Sequence, residues 1–123
     1  MKFYYDGQLI RTSKTHHYTH ACVAQGSDGK WCCISCSSSK AGAEKVKADK
    51  IREHERLIDS CNRAIKAHED GKDGYYSRHH EWISFKHYDL FATKEIAEQY
   101  KAEEQRRLNL IKANWIIVEV EEA

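Results

Sequence analysis

The stretch Tyr18-Thr19-His20-Ala21-Cys22-Val23-Ala24-Gln25-Gly26-Ser27-Asp28-Gly29-Lys30-Trp31-Cys32-Cys33-Ile34-Ser35-Cys36 decides how the chain is read. Tyr18 to Gln25 and Lys30 to Ser35 have strand composition, the glycine-flanked Ser27-Asp28 is a turn signal, and the serines from Ser35 to Ser39 end the second strand. One hairpin therefore carries four of the five cysteines within fifteen residues, together with His20. Thiolate and imidazole are the preferred ligands of zinc, and a CxxC step lets a short piece of backbone present two sulfurs to one tetrahedral ion.

Strand parity selects among the ligands. A turn of two or four residues puts even positions of the first strand on the face of odd positions of the second, so His20 and Cys22 lie beside Cys33. The terminal serines then let the chain bend and bring in Cys36, as a zinc knuckle uses its CxxC. An odd-length turn instead aligns Cys22 with Cys32 and Cys36. The expected metal ligands are His20, Cys22, Cys33 and Cys36, with Cys32 as the replacement. The competing reading makes these cysteines small core residues, because free cysteine is among the most buried residue types. Cys61, on a helical stripe, is read as core.

Working outward, residues 2 to 5 and 8 to 12 form a first hairpin around Asp6-Gly7, a dipeptide suited to a turn with positive φ. Ala41 to Asp70 reads as a long helix, with Ser39 as N-cap and Gly71 as its stop. Its apolar stripe is Ile51, His54, Leu57, Ile58, Cys61, Ala64, Ile65 and His68. A thirty-residue helix is roughly 45 Å long, so it is expected to overhang a small domain or to break. Thr93 to Ala113 reads as a second helix, with Ile96, Ala97, Tyr100, Leu108 and Ile111 as contacts and a charged Glu103-to-Arg107 middle facing water. Trp115 to Val120 closes the chain as a strand. The expected fold is α+β: an antiparallel sheet of about five short strands with two helices on one side, in a single domain over 1–123.

Between the helices, Tyr75 to Phe91 holds six of the thirteen aromatics and has no clean period. Such a segment supplies either core or exposed anchors for a partner.

Composition narrows the function. The formal charge of +1 is too small for a dedicated duplex-nucleic-acid binder and has the wrong sign for an acidic DNA mimic, so direct nucleic-acid binding is not expected. No membrane span or apolar leader is found, so a cytoplasmic location is expected, where thiols are kept reduced; the odd cysteine count also favours metal over a disulfide framework. His79-His80-Glu81 and His16-His17 fit no metalloenzyme spacing, and no Walker loop, dinucleotide fingerprint or oxyanion-hole loop accompanies the cysteines. No catalytic residues are assigned. A basic patch at Lys45, Lys47, Lys50 and Arg52 keeps a small zinc-supported nucleic-acid-binding or regulatory module as the alternative, although Glu44, Asp49, Glu53 and Glu55 interleave with it.

The opening Met1-Lys2-Phe3-Tyr4-Tyr5-Asp6-Gly7-Gln8-Leu9-Ile10-Arg11-Thr12-Ser13-Lys14-Thr15-His16 resembles that of small proteins carried by bacterial phages and mobile elements. Taken with the size and the Cys/His cluster, the chain resembles a phage anti-CRISPR protein that inhibits type II Cas9, and among these a zinc-containing member. The resemblance implies a stoichiometric inhibitor whose partner is the Cas9 effector protein, with zinc as a closed structural site. The balanced charge adds that such an inhibitor would bind a protein lobe, blocking target-DNA loading or later movements, rather than mimic DNA. A free end of the long helix leaves room for a second copy of the chain.

Overall fold

The computed structural model describes residues 1–123. The fold is α+β, with two helices and eight strands in three small antiparallel sheets, more strands than the five expected. The backbone packs as two units, Met1–Ile51 with Leu110–Ala123, and Arg52–Asn109.

In the first unit, β1 (Lys2–Tyr5) and β2 (Gln8–Thr12) form the opening hairpin, and β8 (Glu121–Glu122) pairs with the other edge of β1. Asp6 and Gly7 both take positive φ, 51° and 75°, as the turn chemistry requires. The second sheet has β3 (His20–Gln25) at its centre, flanked by β4 (Trp31–Ser37) and β7 (Ile116–Glu119). The closing segment expected as one strand is thus two: the chain leaves β7 at Val120, whose amide donates to the Thr19 carbonyl, and continues as β8 in the other sheet. Phe3, Ala21, Cys22, Val23 and Ala43 are fully buried. Gln8 ties β2 to β4: its amide nitrogen donates to the Trp31 carbonyl while its oxygen accepts from the Trp31 amide.

The second unit holds the aromatic segment. The helix α1 (Lys40–Glu69) does not break. Ser39 caps it through Oγ, which accepts from the Gly42 amide at 3.0 Å, and Gly71 at φ 71° ends it while the Lys72 amide donates back to the Ala67 carbonyl. The helix α2 (Lys94–Asn114) is capped in the same way by Thr93, whose Oγ1 accepts from the Ile96 amide. Cys61, Ala64 and Ala67 of α1, Ala97 of α2, and Tyr75 and Phe91 between the helices form the core of this unit, with Ile65, Ile83, Phe85 and Tyr100 packed against it. Two expectations for α2 change. Ile96 is exposed, and Glu104, placed by its charge among the water-facing residues, is only 1 % exposed. Its carboxylate is hydrogen-bonded to the buried His54 ring and accepts from Arg107, so partners replace the lost water.

The aromatic segment contains a hairpin that its composition hid: β5 (Gly74–Tyr76) paired with β6 (Trp82–Ser84), followed by a 3₁₀ turn at Asp89–Phe91. Strand alternation sorts the residues. Tyr75 and its partner Ile83 face the core, while Tyr76 and its partner Trp82 face outward.

Candidate functional site

Two clusters carry the chemistry, one in each unit. In the first, the loop between β3 and β4 is Gly26 to Lys30, an odd length, and Ala24 accordingly opposes Cys32 and Val23 opposes Cys33. A β-bulge then admits Ile34 as an extra residue, so that beyond it Cys22 opposes Ser35, Ala21 opposes Cys36 and His20 opposes Ser37. Directly opposed residues share a face, so His20 and Cys22 lie on one side of the sheet and Cys33 and Cys36 on the other.

The expected ligands therefore come together only in part. Cys33 and Cys36 stand with their Sγ atoms 3.5 Å apart, because the bulge puts two residues spaced by three on the same face. The His20 ring is hydrogen-bonded to Thr19 Oγ1 at 2.8 Å, and Cys22 is fully buried on the other side of β3. Cys32, the replacement ligand, is exposed and opposes Ala24. As placed, the four residues do not fit one tetrahedral zinc, and no group of three or more His, Cys, Asp or Glu side chains converges on a common point.

The sulfur pair has a neighbour that spacing could not reveal. Arg11, from β2, donates through Nη2 to Cys33 Sγ at 3.4 Å. Burial is the main cause that pushes the Cys36 thiol up to about 12, and its hydrogen bond with Cys33 adds to the effect. Burial also raises the Cys22 thiol, against the pull of Lys47.

The second cluster is the outer face of the β5–β6 hairpin and the α1 surface beside it. Tyr76 is 62 % and Trp82 49 % exposed, with ring centroids 5.1 Å apart in an edge-to-face arrangement. Gly74 makes room for Trp82: a Cβ there would lie 2.2 Å from the Ile83 carbonyl oxygen and 2.8 Å from the indole. The loop that follows is pinned by Ser77, whose Oγ accepts from the His79 and Glu81 amides and whose own amide donates to the Glu81 carbonyl. His80 takes φ 61° within it. Arg78 and His79 thereby join Arg52, Arg56 and Arg63 of α1 around an open cleft of about 470 Å³ that also contains Glu55 and Asp59. A second hollow, of about 250 Å³, runs from Arg63 past Lys66 and Lys72 to Tyr76 and Trp82. Arg63 is held by Asp59 at 2.9 Å and by the Tyr76 carbonyl at 3.5 Å, so it lines both hollows.

No protein-family model matches this chain, and no curated protein or solved structure matches it either. Neither cluster pairs a nucleophile with an oriented base. The second has the composition of an interface hot spot: two exposed aromatic rings beside several arginines. The first is a pair of free, half-buried thiols in mutual contact. No helix is long and apolar enough to cross a membrane.

Proposed function

We propose that the chain is a stoichiometric binding protein that inhibits a Cas9-type effector, the class that its opening residues, size and Cys/His cluster together resemble, by covering a protein surface and blocking target-DNA loading or later activation. The observation that carries the reading is the exposed Tyr76–Trp82 pair, supported on its inner side by Tyr75 and Ile83. A rigid hairpin can present two large rings at low entropic cost, and exposed aromatics beside arginine are the composition of energetic anchors. The nearby cleft sets Arg52, Arg56, Arg63 and Arg78 against Glu55 and Asp59, and the hollow sets Arg63, Lys66 and Lys72 against Asp70, a cationic excess that complements acidic side chains on the partner. The net charge of +1 gives no basis for acidic DNA mimicry.

The experiment is gel filtration and calorimetry of the chain with a purified Cas9-type effector, comparing wild type with Trp82→Ala and Arg78→Glu. Trp82→Ala is expected to weaken binding on the order of 30-fold or more, the cost of an anchor residue. Equal affinity for all three proteins would remove this surface from the interface.

The arginine-lined cleft favours a second reading, a small nucleic-acid-binding module in which phosphates enter the cleft and a base stacks on Trp82. A gel shift with single- and double-stranded oligonucleotides across a salt series separates the two. Strong, steeply salt-dependent binding to bare nucleic acid supports the second reading.

A further inference from the structure

The Cys33–Cys36 pair has features that the binding reading does not use. Two residues three apart in a regular strand point to opposite faces; here the extra Ile34 turns both sulfurs to the same side, 3.5 Å apart. Both side chains are half-buried rather than sealed, whereas Cys22 and Cys61 are fully buried and Cys32 faces the other side of β4. Arg11 sets a guanidinium 3.4 Å from one of the two sulfurs, Cys33 Sγ, on the same face of the sheet as its partner.

From this arrangement we infer that Cys33 and Cys36 form a reversible dithiol–disulfide switch, oxidised by low-molecular-weight disulfides. Cys33 thiolate attacks one sulfur of the oxidant. A Cys33–oxidant S–S bond forms, the oxidant's own S–S bond breaks, and the released thiolate takes up a proton from solvent, as Cys33 had given one up. Cys36, deprotonated by solvent base, then attacks Cys33 Sγ and expels the second half of the oxidant as a thiol. In sum, the protein dithiol loses two electrons and two protons, and one disulfide becomes two thiols. A bond closed across the bulge fixes β4 at Ile34 and ties up the sulfur that accepts from Arg11. The bulge that separates these sulfurs from His20 and Cys22 is what leaves them free to react with each other.

The test uses the intact chain, kept in a metal chelator, in mixtures of reduced and oxidised glutathione, followed by acid quench, alkylation and peptide mapping. The expected result is a Cys33–Cys36 disulfide that accumulates as the mixture becomes oxidising, returns to two thiols in reduced glutathione, and persists in Cys32→Ser. A wild-type chain that gives only glutathione adducts, or a disulfide involving Cys32, overturns the inference. So does wild type purified without chelator carrying one zinc per chain that protects Cys33 and Cys36 from alkylation. The wild-type map alone decides, even where a serine variant does not fold.

Discussion

The Glu104 carboxylate of α2 is hydrogen-bonded to the His54 ring of α1, and its other oxygen accepts from Arg107 Nη1 at 2.8 Å. Both members of the His54–Glu104 pair are buried. Removing one partner leaves the other buried without its hydrogen bond, so Glu104→Ala is expected to destabilise the chain by about 1–3 kcal/mol. Replacing both residues by leucine is expected to cost much less. Urea unfolding monitored by far-UV circular dichroism measures the difference, with an unchanged slope showing that stability rather than compactness has changed.

Gly74 is required by the ring that crosses it. Gly74→Ala places a methyl against the Ile83 carbonyl and the Trp82 indole, and the overpacked hairpin is expected to lose about 1–3 kcal/mol. Limited proteolysis should cut between Tyr76 and Trp82 faster in the variant than in wild type. Equal cutting rates would mean that the hairpin absorbs the methyl.

Alkaline pH should weaken the fold through its buried thiols. Cys61 is pushed up to about 11 by burial, with Glu104 adding to the effect, from a reference near 9, and Cys36 lies higher still. Burial also raises Tyr75 and Tyr100. For Cys61 the folded pKa is the higher one. Between about 9 and 11 the unfolded chain therefore releases a proton that the folded chain keeps, and stability falls as pH rises. Cys61 contributes nothing to the slope below that window and at most about 1.4 kcal/mol per pH unit within it. Urea midpoints from pH 7 to 11 should bend downward above pH 9, and Cys61→Ala should flatten the bend.

Zinc content tests the strand register. If His20, Cys22, Cys33 and Cys36 bind one ion, β4 must slip past its bulge to bring both faces together. The register described here predicts less than about a tenth of an equivalent by elemental analysis of protein purified without added metal. One full equivalent, lost in both Cys22→Ser and Cys36→Ser, would show that the strand re-registers around the ion.

Much of the fold was legible because its signals are local. Asp6-Gly7, Ser39 and Gly71 mark turns and caps through their own backbone preferences, and the α1 stripe from Ile51 to His68 identifies its buried face by spacing alone. The features that were missed depend on contacts distant in sequence. Glu104 is buried because His54 meets it fifty residues away, and a charged run on one helix carries no trace of that. Ile34 looks like any strand residue, yet the bulge it makes decides which cysteines are neighbours. The β5–β6 hairpin is too short for period-two alternation to stand out among Tyr75, Tyr76 and Trp82, although Tyr75-Tyr76 already contains one inward and one outward ring. Arg11 gave no local signal as a partner of Cys33, because it comes from a different sheet.

Inhibition is read out by titrating a purified, guide-loaded Cas9-type effector with this protein while target-DNA cleavage is measured. Cleavage is expected to stop near an equimolar ratio with wild type, whereas Trp82→Ala, folded as judged by circular dichroism, is expected to require an excess on the order of 30-fold at concentrations near the dissociation constant. Undiminished cleavage at large excess of wild type, with no complex on gel filtration, would contradict the inhibitor reading.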